Sequence, residues 1–460
     1  MKKEQLLGQK ILLLGLGREN LAVARFLLQL GHRDFAVLDE RPLPQAGQDF
    51  LQENQIDFLA PIEFPLAAGK ASAFNILVPS PGIRPEKFSF FKKGEIVPAA
   101  EIFCANFPGR IVAVTGTKGK STTAHAIFQI LQTCGRPSFL CGNFGAPALD
   151  FLKVENGEIA NAPSEIAVLE LSSFQANFLR TPPQVVVFTS FFPDHLDWHG
   201  NLENYFQAKW RPLQMLPQSG VAIFPENFPA ALQEIFPKSL AAKALAGIKA
   251  RKIFCPKVAP KKNLQIFMPH DLQNFALASA ACRIFKVSQR DIENAWPEIP
   301  ILPHRGNLVA GVEHDGRRFF NFSIAVNPGA VLEVVRNFPQ SIGGLILGGA
   351  DRGLDFSTLV REIAHKKIPA LTFFPPSGER ILQELQESFS PSWRPAILQT
   401  EKMLPAVEFA FEHSPKNSAI LLAPAAPSFG LWDNFEIRGQ DFEASALQVA
   451  GGRFCQVENS

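Results

Sequence analysis

The residue types best suited to chemistry lie in one short stretch, residues 115–123, which reads TGTKGKSTT. The apolar, β-branched run at 111–114 predicts a buried parallel strand before it, and the apolar spacing after it predicts a helix. A glycine turn at a helix N-terminus can direct backbone N–H groups at an anion. The stretch therefore predicts a phosphate-binding loop, with a plain glycine turn as the alternative. The loop residues are Gly116, Thr117, Lys118 and Gly119.

The side chains that follow the second glycine are those that a nucleoside triphosphate requires. Lys120 supplies a point charge for the β- and γ-phosphates, and Ser121 or Thr122 supplies a hydroxyl for Mg²⁺. Only two residues separate the glycines, so the loop is tighter than the common G-x-x-x-x-G-K-[ST] form. The sequence predicts that the chain binds a nucleoside triphosphate.

Strands alternate with amphipathic helices along the whole chain, which indicates an α/β protein. A length of 460 residues favours three domains. We predict a Rossmann-like domain at 1–108, a central nucleotide domain with a mostly parallel sheet at 109–302, and a second Rossmann-like domain at 303–460. The proline-rich stretch WPEIPILPHR predicts a hinge before the last of these.

Carboxylates and histidines follow two apolar strands of the central domain. Glu170 ends one predicted strand, and Lys209 lies on a predicted helix. The next predicted strand ends in Asp194, His195, Asp197 and His199. The carboxyl ends of parallel strands share one edge, so these groups are expected to converge on a metal–phosphate site. Glu170 suits Mg²⁺ as an oxygen ligand. The alternatives are a capping or surface role for Glu170, and a zinc site made by His195, Asp197 and His199.

The first domain carries a second glycine turn. Gly15-Leu16-Gly17 follows the first strand, and Asp39 ends the second, at a spacing close to that of a dinucleotide-binding unit. Asn20 stands where that motif has its third glycine, so NAD is the weaker alternative to another nucleotide or its phosphates. Ser80-Pro81-Gly82 ends a later strand, where α/β proteins place ligands. Arg352 and Ser428 occupy similar places in the last domain, where a carboxylate could be held.

Composition excludes several function classes. A net charge of +2 gives no long-range attraction to nucleic acid or to anionic lipid. No apolar run approaches the roughly 20 residues of a membrane span, and a cytoplasmic location is expected. Six scattered cysteines are expected to be reduced and mostly buried. The single tyrosine, Tyr205, stands against 42 phenylalanines without a sequence-level reason.

Several stretches together resemble the Mur ligases, the ATP-dependent amide-bond-forming enzymes of peptidoglycan precursor synthesis. TGTKGKST is similar to the family's phosphate loop, and LELSSFQ, PDHLDWHG, LPHR and NFE-x-RG are similar to its glutamate-adding members, in matching order along essentially the whole chain. The resemblance implies ATP- and Mg²⁺-dependent addition of glutamate to UDP-N-acetylmuramoyl-L-alanine through an acyl phosphate. D-Glutamate is the family default, and a monomer is expected.

The resemblance also implies residue roles. The groups expected at the reaction centre are Lys120, Glu170, His195 and Lys209. The expected metal ligands are Ser121, Glu170, His195 and Lys209, the last as a carbamate. ATP contacts are expected from the phosphate loop, from Asn274 at adenine and from Arg305 at the phosphates; a surface amide is the alternative for Asn274. The UDP substrate is expected at Gly17, Arg18, Glu19, Asp39, Arg41, Ser80, Gly82 and Asn143, and glutamate at Arg352, Ser428 and Phe435.

The last domain departs from the family pattern. NFSIAVN stands where the family has N-D-S-K-A-T-N, so Phe322 replaces an aspartate expected at the ATP ribose, Ile324 a lysine, and Val326 a threonine near glutamate. Arg352 also stands where lysine is common. The DRGLDF and APAAPSF stretches resemble a subtype that adds L-glutamate. The alternatives are a ligase of the folate-polyglutamate type and a non-enzymatic, nucleotide-binding relative.

Overall fold

The computed structural model of the protein describes residues 1–61, 71–256, 269–311, 315–389 and 392–451. The chain divides into two compact units. Unit 1 comprises Met1–Leu264 and His270–Ile299, and unit 2 comprises Gln265–Pro269 and Pro300–Ser460. Within the described residues, unit 1 contains two large sheets and a short hairpin, and unit 2 contains one sheet.

The first sheet of unit 1 has five parallel strands in the order β3-β2-β1-β4-β5. The strands are β1 (Ile11–Leu14), β2 (Phe35–Asp39), β3 (Asp57–Pro61), β4 (Ile76–Pro79) and β5 (Glu95–Ile96). Ile11 and Leu13 pack into one apolar core, and Leu12 and Leu14 pack into another. Both faces of β1 are therefore buried, which explains its uninterrupted apolar sequence.

The central sheet has six parallel strands in the order β13-β12-β11-β6-β10-β7. They are β6 (Arg110–Thr115), β7 (Ser138–Gly142), β10 (Ile166–Glu170), β11 (Val185–Phe188), β12 (Val221–Pro225) and β13 (Arg251–Cys255); β8 (Val154–Glu155) and β9 (Glu158–Ile159) form the hairpin. The strand before the phosphate loop, β6, thus lies inside the sheet. The strands that precede the other predicted site residues lie on either side of it.

One continuous apolar core joins the two sheets of unit 1. It contains Leu13 and Val37 from the first sheet and Ala167 and Leu169 from β10. The helices of unit 1 are α1 (Lys3–Leu6), α2 (Arg18–Gln29), α3 (Gln45–Glu53), α4 (Ala99–Asn106), α5 (Lys120–Thr133), α6 (Ser173–Ala176), α7 (Leu196–His199), α8 (Leu202–Gln214), α9 (Phe228–Ile235), α10 (Lys238–Ala246), α11 (Pro269–Ile284) and α12 (Gln289–Ala295).

Unit 2 is built on a six-stranded sheet in the order β14-β15-β19-β16-β17-β18, antiparallel only between β14 and β15. The strands are β14 (Asn307–Gly311), β15 (Arg318–Asn321), β16 (Ile342–Gly348), β17 (Ala370–Phe374), β18 (Ala396–Gln399) and β19 (Ala419–Leu422). The helices are α13 (Pro328–Asn337), α14 (Ser357–Lys366), α15 (Ser377–Gln386), α16 (Met403–His413) and α17 (Phe435–Val449). Asparagine side chains cap α13 and α17, which fixes where these two helices begin.

The predicted α/β class with mostly parallel sheets is confirmed. Each large sheet falls within one of the three predicted domains, whose boundaries stay predictions. The cysteines within the described residues are free, and all but Cys134 are buried; Cys455 lies outside the described residues. Among the described helices, none is both long enough and apolar enough to cross a membrane.

Candidate active site

The phosphate loop has the backbone that its glycines predict. Gly116 follows β6 with φ of 139°, and Gly119 caps α5 with φ of 84°. A Cβ at Gly116 would lie 2.2 Å from the hydroxyl oxygen of Thr189, and one at Gly119 would lie 2.5 Å from Oδ1 of Asn274. Positive φ and close neighbours both require glycine at these positions. The first turn of α5, which carries Ser121 and Thr122, opens onto the loop.

The loop is held by residues that follow β11. Thr117 N–H donates to the Ser190 carbonyl over 2.9 Å, and Lys118 N–H donates to the Ser190 hydroxyl over 2.9 Å. Tyr205 is fully buried, and its hydroxyl lies 3.0 Å from the hydroxyl of Thr117. This contact explains why position 205 is a tyrosine, because phenylalanine could not make the hydrogen bond. The sequence alone did not reveal this pair.

Lys120 and Lys209 both donate hydrogen bonds to backbone carbonyls of the loop. The Lys120 amine donates to the Thr117 carbonyl over 2.9 Å, and the Lys209 amine donates to the Gly116 carbonyl over 2.7 Å. Lys209 comes from α8 and is only 2% exposed. Burial, with repulsion from Lys120, lowers the pKa of the Lys209 amine well below its usual value. A carbamate forms from a neutral amine, so this environment favours the predicted modification.

Glu170 ends β10 and is 1% exposed. Its Oε1 accepts a hydrogen bond from the Asn143 amide over 2.7 Å, and its Oε2 is buried without a hydrogen-bond partner among the described residues. Such an oxygen is costly unless a ligand meets it. A buried carboxylate oxygen with no donor suits a hard divalent cation, so Glu170 fits the predicted Mg²⁺.

The sequence predicts His195 at the end of a strand, but β11 ends earlier, at Phe188. His195 stands several residues beyond Phe188, in a left-handed conformation with φ of 50°, just before α7. Partial desolvation is the main cause that lowers the pKa of His195, and the positive charge of Lys120 acts in the same direction. The ring is therefore neutral near pH 7, as a metal ligand must be.

The neighbouring histidine has a different environment. His199 is buried, its Nε2 lies 3.0 Å from the Ser173 hydroxyl, and its ring stacks on Phe174. Asp197 pairs with Arg84 over 3.1 Å instead. Within the described ranges, no three His, Cys, Asp or Glu side chains are grouped to hold a metal.

Asn274 is a buried residue of α11, which contradicts the surface-amide alternative. Its Oδ1 accepts a hydrogen bond from the Thr123 hydroxyl over 3.3 Å and lies close to Gly119. Its amide nitrogen is buried without a partner in the described part of the chain. The helix thus places an unused donor next to the phosphate loop, and the predicted adenine contact stays a prediction.

The glycine turn of the first sheet is fixed by Asp39 and Ser80. The two carboxylate oxygens of Asp39 accept hydrogen bonds from Leu16 N–H and Arg41 N–H, each over 3.1 Å, and the Ser80 hydroxyl donates to the Gly15 carbonyl over 3.0 Å. Gly17 ends this turn, Arg18 and Glu19 begin α2, and Gly82 lies in the turn after β4. Their contacts with UDP stay predictions.

Glu19 connects this turn to the central sheet, which the sequence did not predict. Its Oε1 accepts a hydrogen bond over 3.1 Å from Gln175, the residue that completes the capping box of α6 with Ser172. Burial raises the pKa of Glu19 to about 7 against the opposing charge of Arg18. The two predicted ligand regions of unit 1 are therefore linked by a titratable side chain.

The residues predicted to contact glutamate, and Arg305, which is predicted to contact ATP, lie in unit 2. Ser428 is buried, and its carbonyl accepts a hydrogen bond from Trp432 N–H over 3.0 Å. Phe435 begins α17, with its ring 6.2 Å from that of His304. Arg305 follows His304 and is partly exposed, and Arg352 is exposed in the loop after β16.

Phe322 is a core residue of unit 2. It is 4% exposed and its ring lies 6.0 Å from that of Phe338. A Cβ at Gly306 would lie 2.6 Å from the Phe322 ring. The position that the family pattern assigns to a ribose contact therefore serves packing here.

The chain is similar to known proteins over most of its length. The Mur ligase middle domain matches residues 114–287. The UDP-N-acetylmuramoylalanine–D-glutamate ligase of Aquifex aeolicus is 29% identical over 448 residues, which is 94% of this chain and 97% of that protein. The UDP-N-acetylmuramoyl-L-alanine–L-glutamate ligase of Salinispora tropica is also 29% identical, over 98% of this chain and 100% of its own length.

Solved structures share the fold. The MurF ligase of Thermotoga maritima, crystallised with ADP, superposes with a TM-score of 0.56 at 14% identity, over 98% of this chain and 97% of that one. The phosphate loop, the strand-end carboxylate and the buried lysine all lie within the matched middle domain. The chain is therefore similar to glutamate-adding Mur ligases over nearly its whole length, and its residues 114–287 match the Mur ligase middle domain.

Proposed function

We propose that this protein is an ATP-dependent ligase that joins glutamate to UDP-N-acetylmuramoyl-L-alanine in cytoplasmic peptidoglycan precursor synthesis. The observation that carries the proposal is the convergence of three groups at one loop. The Lys209 amine contacts Gly116, the Lys120 amine contacts Thr117, and the unpartnered oxygen of Glu170 lies at the end of the strand next to β6. Similarity to glutamate ligases over nearly the whole chain supports the same substrates.

The chain's own groups have distinct tasks in this reaction. The loop N–H groups and Lys120 bind the phosphates of ATP, while Asn274 and Arg305 complete the nucleotide contacts. Ser121, Glu170, His195 and carbamylated Lys209 would hold Mg²⁺, which when bound supplies positive charge against the phosphate oxygens.

The reaction itself has two balanced steps. A carboxylate oxygen of the alanyl group attacks the γ-phosphorus, the bond to the β-phosphate oxygen breaks, and ADP leaves. The glutamate amine then attacks the acyl carbon, inorganic phosphate leaves with the electron pair of the broken C–O bond, and the amine loses a proton to solvent. Lys120 and the loop amides hold the two reacting anions together against their repulsion.

The remaining substrate contacts lie away from the phosphate loop. The turn fixed by Asp39 and Ser80 holds the UDP group, and Asn143 meets the substrate beside Glu170. Ser428, Phe435 and Arg352 hold glutamate in unit 2. A relative named as a D-glutamate ligase and one named as an L-glutamate ligase are both 29% identical to this chain. The enantiomer is therefore to be determined by experiment.

The test is phosphate release by the purified chain with ATP, Mg²⁺ and UDP-N-acetylmuramoyl-L-alanine, with D-glutamate and L-glutamate in separate reactions. We expect phosphate and the amide product with one enantiomer, and neither when the muramyl substrate is left out. Turnover on a folate instead would assign the folate-type alternative. ATP binding without turnover on any of these substrates would assign a non-enzymatic relative.

A further inference from the structure

Arg438 is a fully buried arginine in the first turns of α17. Its guanidinium donates three hydrogen bonds: from Nη1 to the Ala426 carbonyl over 3.0 Å, from Nη2 to the Ser323 carbonyl over 2.9 Å, and from Nε to the Ser323 hydroxyl over 3.1 Å. None of these acceptors carries a charge. A planar fork with several donors suits this geometry, and lysine could not reproduce it.

The guanidinium reaches each loop that carries a predicted glutamate contact. Ala426 lies two residues before Ser428, and the Ser323 hydroxyl that meets Nε also donates to the Phe435 carbonyl over 2.8 Å. The third loop is equally close, because a Cβ at Gly349 would lie 3.2 Å from Nη1. Gly349 comes three residues before Arg352. Arg438 therefore lies between the segments that follow β15, β16 and β19, and it sets the distances between them.

Within the described residues, the charge of Arg438 lacks a compensating anion. No carboxylate of the described residues forms an ion pair with it, and burial lowers the pKa of its guanidinium to about 9. The group is thus still protonated at neutral pH. A buried cation without a counter-ion is unfavourable, and an anionic ligand nearby removes part of that cost.

We propose that Arg438 is a positioning and specificity-determining residue: it sets the spacing of the three glutamate-binding loops, and its uncompensated positive charge selects an amino acid whose side chain is anionic over its neutral amide analogue. This inference rests on the proposed function, since it concerns the amino acid that the ligase accepts. The ordinary alternative is that Arg438 only fastens α17 to the sheet. That alternative predicts a loss of stability without a change in selectivity.

The test compares glutamate with glutamine as acceptors in the parent, Arg438→Met and Arg438→Lys. We expect Arg438→Met to reduce the ratio of kcat/KM for glutamate over glutamine by about 10-fold or more. Arg438→Lys keeps the charge and loses the fork, so both KM values rise and the ratio stays near that of the parent. Arg361→Met removes an exposed charge from the same unit and is the matched control, with parent-like kinetics expected.

Ser323→Ala tests the positioning role in a variant that keeps Arg438. Losing the hydroxyl should raise the KM for glutamate and glutamine together without changing kcat for ATP-dependent acyl phosphate formation. An unchanged KM in this variant would overturn the positioning role. A folded Arg438→Met with the parent's ratio would overturn the selectivity role.

Two further outcomes keep the inference separate from the proposed function. If Arg438→Met does not fold, Arg438→Lys decides the charge argument. A fall of about 10-fold or more in its ratio of kcat/KM for glutamate over glutamine contradicts the argument. A preserved ratio with raised KM values supports it. A parent protein that turns over neither enantiomer of glutamate would overturn the proposed function instead.

Discussion

The amine of Lys209 donates a hydrogen bond over 2.7 Å to the carbonyl oxygen of Gly116, the first glycine of the phosphate loop. Helix α8 therefore contributes directly to a loop that lies 93 residues earlier in the chain. The same amine lies 5.0 Å from the centre of the Tyr205 ring, and Tyr205 in turn meets Thr117. The loop is thus supported from α8 by two side chains one helical turn apart.

Replacing Lys209 with methionine removes the amine but keeps an unbranched stem of similar length. We expect phosphate release to fall by about 100-fold or more, because the loop loses its hydrogen bond from Lys209 and the site loses the proposed carbamate. Lys153→Met, which removes an exposed lysine, is the control. Carbon-13 NMR with labelled bicarbonate should show a carbamate signal in the parent that the Lys209 variant lacks; parent-like activity in that variant would contradict the assignment.

Two glycines flank α5 and form a matched pair. Gly119 has φ of 84° and its added Cβ would lie 2.5 Å from Asn274, whereas Gly135 has φ of 65° and open space around it. Alanine at either position carries backbone strain of about 1 kcal/mol, but only Gly119→Ala also displaces a neighbour in the site. We expect Gly119→Ala to weaken ATP binding by at least about 10-fold, and Gly135→Ala to leave it unchanged, as measured by calorimetry. Equal affinities in the two variants would disprove the steric argument.

Glu19 predicts a pH-dependent stability difference. Its folded pKa of about 7 lies above the ordinary 4.5, so the folded chain keeps a proton that the unfolded chain releases. The stabilising contribution of this proton is complete below pH 4.5 and is lost as the pH rises through 7. The free energy of unfolding of the parent should therefore fall as the pH rises from 4.5 to 8, whereas that of Glu19→Gln lacks this loss. The difference between the two proteins should shift in favour of the variant by about 1–3 kcal/mol over this range. Denaturant unfolding at both pH values measures this, and a constant difference would argue against the raised pKa.

Gly306 and Phe322 predict a coupled pair of substitutions. Gly306→Ala places a methyl group 2.6 Å from the Phe322 ring, and should cost about 2–4 kcal/mol of stability. Phe322→Ala opens a cavity and should cost about 3–5 kcal/mol. The double variant should be more stable than the sum of these losses predicts, by at least about 1 kcal/mol, because the smaller side chain removes the clash. Additive losses in chemical unfolding would rule out the contact.

The same packing bears on Phe322→Asp, which brings position 322 back to the family pattern. The aspartate would bury a carboxylate where the wild-type ring packs against Phe338. We therefore expect reduced stability and no gain in affinity for ATP. Tighter ATP binding with unchanged stability would show that the side chain can reach the nucleotide.

Local patterns were enough to locate the phosphate loop, Glu170 and Lys209, because a short apolar strand, two glycines and an amphipathic helix each leave a signal within a few residues. The parallel arrangement of the sheet then follows from the alternation of strands and helices. Pairs distant in sequence left no such signal. Glu19 and Gln175 are separated by 156 residues, and only the shared core of the first and central sheets brings them together.

The predicted place of His195 was wrong, and the place of Phe322 was not predicted, for related reasons. His195 was assigned to a strand end because charged residues follow an apolar run there, but the strand ends at Phe188 and a loop intervenes. Phe322 was judged by the residue that it replaces, whereas its place is decided by a ring partner and by an unusual glycine. Neither partner is recognisable from the sequence beforehand.

The interior position of β6 affects how the chain is made. Its two neighbours, β10 and β11, are synthesised after it and pair with it along both edges. On the ribosome, the strand that carries the phosphate loop therefore emerges with both edges exposed and stays so until residues 166–188 have followed. Unpaired strand edges are templates for pairing with other chains, so the nascent chain is open to aggregation during this interval.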